Sequence, residues 1–221
     1  MIAARRRAAD LRVYFVTDRA LCAELGLVET ALRAIAGGAT LVQLRDREAG
    51  GRELLEMARA LVAAVQPLGV PVIVNDRPDI ARAAGAWGVH VGQDDIPTAA
   101  AREIMGADAI VGLSITSEAE MRAAPFDLVD HLGVGPVFGA GVKTDASPTI
   151  GLDGLRACAA LSRKPVVAIG GVNASNAAAC VAHGADGVAV VSAIAGQPDP
   201  KAAAAALRKT VDEALAMRSA A

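Results

Sequence analysis

Asp76 and Asp95 carry the clearest chemical signal in this chain of 221 residues. Each follows a short apolar run of strand composition: Val72-Ile73-Val74-Asn75 before the first, Gly88-Val89-His90-Val91 and then Gly92-Gln93-Asp94 before the second. If these runs are neighbouring strands of a parallel sheet, both carboxylates sit just past the carboxyl ends. As a structural pair they would repel one another. As ligands they suit a hard divalent cation, because Mg²⁺ is held by one or two carboxylates while phosphate oxygens and water complete its shell. The two residues therefore point to chemistry on a diphosphate ester.

Such a pair needs a scaffold, and the rest of the chain supplies one. Val- and Ile-rich runs at 13–17, 40–44, 72–75, 88–91, 109–113, 128–134, 166–169 and 187–191 read as strands. Between and after them, 24–36, 52–66, 78–84, 98–105, 117–123, 152–161, 175–183 and 200–217 have helical composition. Strand–helix alternation implies βαβ units and a parallel sheet. The strands are apolar throughout, as expected when both faces are covered. Eight units and no G-x-G-x-x-G after the first strand favour a closed (β/α)₈ TIM barrel over an open doubly wound sheet. One α/β domain is expected over 11–221, behind an N-terminal tail at 1–10.

Apolar residues make up 53% of the chain and aromatic ones only 2%, so the core must be built from Ala, Val, Leu and Ile. The net charge is −2, and the arginines are scattered apart from Arg5-Arg6-Arg7, which argues against a nucleic-acid surface. Cys22, Cys158 and Cys180 have no metal-ligand spacing and read as buried thiols in a reducing compartment. The amino-terminal segment has no apolar signal core, and Val13–Val16 is far too short to span a bilayer. A cytoplasmic enzyme without a membrane or nucleic-acid partner is expected. A homodimer is left open.

In this barrel class, reactive groups collect at the carboxyl ends of the strands. Gln43, Arg45 and Arg47 alternate onto one face after strand 2, Asn75 and Asp76 follow strand 3, and Ser114 follows strand 5. A long loop after strand 6 brings Lys143. Gly170-Gly171 after strand 7 and Ser192 after strand 8 offer backbone amides to an anion, at the place where this fold commonly binds phosphate. Two anion sites over one mouth imply a transfer between two phosphorylated substrates.

The order of these motifs resembles the thiamine phosphate synthase family, from Tyr14 to about Ser192. The matching runs are Val16-Thr17-Asp18-Arg19, Gln43-Leu44-Arg45-Asp46-Arg47, Asn75-Asp76-Arg77, His90-Val91-Gly92-Gln93-Asp94-Asp95, Gly112-Leu113-Ser114, Gly133-Val134-Gly135-Pro136-Val137-Phe138, Gly151-Leu152-Asp153-Gly154-Leu155, Gly170-Gly171 and Asp186 through Ser192. The resemblance implies coupling of a hydroxymethylpyrimidine diphosphate to a thiazole phosphate with release of pyrophosphate. It assigns Asp76 and Asp95 to Mg²⁺, and Arg45 and Lys143 to the diphosphate, beside which Arg47 is expected to complete the same anion site. Gln43, Asn75 and Ser114 fall to the pyrimidine, and Gly171, Val191 and Ser192 to the thiazole phosphate. Arg45, Lys143 and Ser114 are the expected catalytic contacts. The chain departs from the family pattern at Arg47, where Lys is common, and at Ala140 and Val142, where Thr is common. Ile115-Thr116 also lacks a common His. A lost hydrogen bond to a charged group costs about 1.5–3 kcal/mol.

Plainer readings compete with these assignments. Asp76 could cap the helix beginning near Pro78, Asp95 could close a turn, and Gly170-Gly171 could be a tight turn alone. His90 could serve packing or a buried hydrogen bond, His131 and His183 could be structural or exposed, and Asp18 could pair with Arg19. Two other functions use the same barrel. A thiazole tautomerase-like isomerase needs no metal, so the retained carboxylates argue against it. A non-catalytic barrel that binds phosphate ligands is allowed by Ala140 and Val142.

Overall fold

The computed structural model describes residues 9–139 and 148–220. Eight parallel strands close into a barrel in sequence order: β1 (Val13–Val16), β2 (Leu41–Leu44), β3 (Val72–Asn75), β4 (Gly88–Val91), β5 (Ile110–Ile115), β6 (His131–Val134), β7 (Val166–Ile169) and β8 (Gly187–Val190). Helices α1 (Leu27–Ala36), α2 (Gly51–Val65), α3 (Pro78–Ala84), α4 (Thr98–Met105), α5 (Glu118–Ala123), α6 (Gly151–Leu161), α7 (Ala177–Ala182) and α8 (Pro200–Ala220) form the outer ring. Among the described residues, no helix is long and apolar enough to cross a membrane. Arg5–Arg7 and the residues Ala140, Val142 and Lys143 lie outside the described residues.

The uniform apolarity of the strands now has a direct cause. Along β1, Val13 and Phe15 pack outward into the layer between strands and helices, while Tyr14 and Val16 point into the barrel. The outward layer runs through Val42, Leu44, Val72, Val74, Val89 and Val91 to helix residues such as Ala58, Leu61 and Leu207. The inward layer contains Leu41, Ile73, Ile110, Val167 and Ala189. Both faces of each strand are thus covered except where the inward face opens at the carboxyl end, and buried polar side chains must be hydrogen-bonded. Thr17, Gln43, His90 and His131 are the buried polar residues near or inside the barrel wall.

Local chemistry sets several boundaries. Pro78 opens α3, where its missing N–H costs nothing. The expected start of the fifth helix at Ser117 is its N-cap: Ser117 Oγ accepts from Glu120 N–H at 3.3 Å. Glu120 reaches back to accept from Thr116 N–H at 2.6 Å and from its hydroxyl at 2.8 Å. This reciprocal arrangement resembles a capping box and commits Thr116 to the helix rather than to the mouth. Strand 6 was expected from 128 but begins at His131, and strand 5 extends to Ile115, placing Ser114 inside it. The first helix begins at Leu27 rather than 24, because Gly26 has φ 84° and cannot belong to the helix. The three cysteines are free and buried.

Candidate active site

The carboxyl ends of the strands surround one open cleft with about 620 Å³ of empty space. Its walls bring together Gln43, Arg45 and Arg47 from the β2 side, Asn75 and Asp76 from β3, His90 and Asp95 from the β4 side, and Ser114 from β5. Tyr14, Ile169 and Ala189 supply further wall from β1, β7 and β8. The expected alternation of Gln43, Arg45 and Arg47 is borne out, since all three line the same cleft. Gly171, Val191 and Ser192 do not line it; they follow β7 and β8 on the adjoining rim.

Asp76 occupies a tight three-residue turn at the end of β3. Arg77 N–H donates to Asn75 O at 2.8 Å, and Asp76 has φ 61°, a left-handed conformation seen at no other non-glycine among the described residues. Such backbone costs about 1–3 kcal/mol and persists where the surroundings enforce it, often at functional sites. Here Asp76 N–H is tied to His90 O at 2.8 Å. The capping alternative fails, because Arg77 is the N-cap residue of α3 and no side chain caps that helix. Asp95 does close a turn: its Oδ2 accepts from Gly92 N–H at 2.7 Å. That bond also aims the carboxylate at Asp76.

The two carboxylates lie within hydrogen-bonding reach of one another. Burial, then the Asp95 carboxylate, pushes the Asp76 pKa up from 3.8 to about 6, against the opposing charges of Arg47 and Arg45. Arg45 is itself lowered, first by burial and then by Arg47. Neither guanidinium forms an ion pair with a described residue. No third His, Cys, Asp or Glu joins the carboxylates in a metal-ligating cluster among the described residues. A pair of crowded carboxylates with open space in front fits Mg²⁺, which takes much of its shell from phosphate and water.

Deeper in the cleft the polar groups are ordered by each other. Tyr14 O–H donates to Gln43 Oε1 at 2.6 Å, and Gln43 Nε2 donates to Asn75 Oδ1 at 2.5 Å. Burial raises the Tyr14 pKa, so the phenol keeps its proton. His90 Nε2 lies 3.0 Å from Ser114 Oγ, and His90 Nδ1 lies 3.4 Å from His131 Nε2. The buried-hydrogen-bond reading of His90 therefore holds, and His131 is buried rather than exposed. Tyr14 and His131 were missed as site residues. A single tyrosine in a valine-rich strand, and glycines at 112 and 133 inside strands, were the available signals.

At the rim, Gly170 and Gly171 have φ 93° and 67°. A Cβ on Gly171 would also lie 2.8 Å from Phe138 Cβ, so only glycine fits. The Gly171, Ser192 and Ala193 amides have no acceptor among the described residues. Gln197 Nε2 donates to Ser192 O at 2.8 Å and steadies the turn after β8. The expected Asp18–Arg19 pair is absent. Arg19 instead donates to Asp46 Oδ2 and Glu53 Oε1, each at 2.6 Å, while Asp18 accepts from Leu21 N–H. Asp46, lying between two cleft arginines in sequence, is thereby turned out of the cleft.

A closed (β/α)₈ barrel with paired carboxylates, and with guanidinium groups and amides that lack partners among the described residues, at one end defines a phosphoester-handling barrel enzyme. Comparison with known proteins narrows that class. The family model described as thiamine monophosphate synthase matches residues 13–194, and the chain belongs to this family. A thiamine-phosphate synthase from Azorhizobium caulinodans is 50% identical over 92% of this chain and 96% of its own length. One from Xanthobacter autotrophicus is 52% identical over 91% of this chain and 96% of its own. The solved thiamine phosphate pyrophosphorylase from Pyrococcus furiosus superposes with a TM-score of 0.85, at 40% identity, over 94% of this chain and 98% of that one.

Proposed function

We propose that this enzyme joins 4-amino-2-methyl-5-hydroxymethylpyrimidine diphosphate to a thiazole phosphate, giving thiamine phosphate and pyrophosphate. The observation that carries this reading is the convergence of Asp76 and Asp95 beside Arg45 and Arg47, which form no ion pair among the described residues, at the mouth of the barrel. Charge of both signs, poorly compensated within the protein, is what a site needs when an anionic leaving group and its cation are to be bound together.

Asp76 and Asp95 would hold Mg²⁺, which supplies positive charge to the departing diphosphate. Arg45 and Arg47 bind diphosphate oxygens, and Arg47 brings a planar fork where the family often has Lys. Lys143 is assigned to the same anion by resemblance. Asn75, held by Gln43, and Ser114, held by His90, orient the pyrimidine. The Gly171 and Ser192 amides, with Val191 between strand and turn, anchor the thiazole phosphate. As the pyrimidine C–O bond breaks, the cationic side chains stabilise the negative charge that grows on the leaving group. The anchored thiazole nitrogen then captures the pyrimidine cation before water does. The buried free cysteines support a reducing, cytoplasmic setting.

The test is to mix the purified protein with both substrates and Mg²⁺ and to measure thiamine phosphate and pyrophosphate. Equal release of both products is expected. Thiazole isomerisation without metal would establish the tautomerase reading instead, and tight ligand binding with no turnover would establish a binding barrel.

A further inference from the structure

His90 and His131 are left over when the charged groups have been assigned. They form one row across three strands: His90 of β4 pairs with Gly112 of β5, and Gly112 pairs with His131 of β6. The missing side chain at Gly112 is what lets the rings meet. A Cβ there would lie 2.3 Å from His90 Nδ1 and 2.4 Å from His131 Nε2. The rings stand 5.5 Å apart, tilted by 34°. One end of the row reaches Ser114 Oγ at the cleft wall. The other end is His131 Nδ1, which is buried and has no hydrogen-bond partner among the described residues.

The orphaned atom sets the direction of the whole row. Two imidazoles that share a hydrogen bond need one donor and one acceptor, so they cannot both be protonated at both nitrogens. Burial favours the neutral His131 ring, pushing it down to about 4. That ring then has one N–H. A buried N–H without an acceptor is rarer than a bare lone pair. His131 Nδ1 is therefore the lone pair, and the proton sits on Nε2. It donates to His90 Nδ1, which leaves the His90 proton on Nε2, facing Ser114 Oγ. Serine accepts that bond, and its own hydrogen is free to point into the cleft.

We propose that His131 and His90 are positioning residues that fix Ser114 as a hydrogen-bond donor to the pyrimidine, so that the site selects a ring presenting an acceptor nitrogen there. This rests on the substrate assigned above. A second chain has the same polarity. Tyr14 donates to Gln43 and Gln43 to Asn75 Oδ1, which leaves the Asn75 amide group as an open donor. Both chains start at a side chain buried in the barrel, His131 or Tyr14, and end with a donor facing the cleft.

Long-range ¹H–¹⁵N NMR of the unliganded protein, with its three histidines labelled, reads the tautomers directly. The Nε2–H form is expected for both His90 and His131. An Nδ1–H form of either would overturn the proposal. In kinetics, His131→Leu should raise KM for the pyrimidine diphosphate about tenfold, the worth of one hydrogen bond, while KM for the thiazole phosphate stays constant. His131→Gln, whose amide can replace the Nε2 donor, should recover most of that loss. Unchanged KM for both substrates in His131→Leu would also overturn it. Absence of coupling by the unaltered protein would refute the functional reading itself, and the tautomers would still decide which way Ser114 faces.

Discussion

The two ends of the barrel treat charge in opposite ways. At the amino end, arginines find carboxylates and carbonyls. Arg102 donates to Asp130 Oδ2 at 2.7 Å, to Leu128 O at 2.8 Å and to Ala109 O at 2.6 Å. Arg218 donates to Asp186 Oδ1 at 2.8 Å, and Arg12 bridges Asp10 and Asp212. Asp130 and Asp186 in turn accept from Val111 and Val166 N–H, fastening β5 and β7 at their starts. At the carboxyl end the rim carries the Arg19–Asp46 and Arg19–Glu53 pairs, but inside the cleft like charges are grouped instead: Asp76 with Asp95, Arg45 with Arg47. The first arrangement minimises the energy of the free protein. The second leaves energy to be recovered only when an ion and an anionic ligand arrive.

That contrast can be broken at each end, with effects of different size and kind. Asp95→Asn, which keeps a side-chain oxygen for Gly92 N–H, should lower kcat by roughly a thousandfold, about 4 kcal/mol, with the circular dichroism spectrum unchanged. Undiminished Mg²⁺-dependent turnover would remove Asp95 from the site. Arg102→Ala leaves the part-buried Asp130 carboxylate and several carbonyls without their shared donor. It should cost about 2–4 kcal/mol in urea unfolding with kcat retained below the transition. Loss of turnover without loss of stability would contradict the division between the two ends.

Arg45→Lys keeps the charge but loses the fork, and should raise KM for the diphosphate substrate about tenfold. The smallest effect is a gain. The Asp76 pKa is raised in the folded state, so its protonated form stabilises the protein below pH 3.8, and that contribution is lost as pH rises through about 6. Asp76→Asn removes this loss and tolerates the left-handed backbone. Because the site is partly open to solvent, the expected gain for the metal-free protein at pH 7.5 is only about 1 kcal/mol, or roughly 2–4 °C in Tm. A melting temperature that falls instead would show that the carboxylates do not oppose each other.

Much of the barrel was legible because its signals are local. The apolar runs from Val72 and Gly88 and the proline at 78 bound their elements by composition and ring geometry alone. Boundaries slipped where a single conformation intervened, as at Gly26, or where a polar residue belonged to a strand, as Ser114 does. The Asp18–Arg19 expectation failed for a similar reason. Adjacent residues at a strand end diverge, and Arg19 found Asp46 and Glu53 from later in the chain.

Residue types and their order determined that eight βα units would close, that carboxylates would follow strands 3 and 4, and that arginines would follow strand 2. Strand alternation and the parallel crossover need no long-range information to send those groups to one rim. Only the folded barrel decided that Asp76 and Asp95 crowd closely enough to raise a pKa, and that His90, Gly112 and His131 fall in one row beneath Ser114. Both depend on the register between strands far apart in sequence, and register is set by the packing of the whole cylinder rather than by any segment of it.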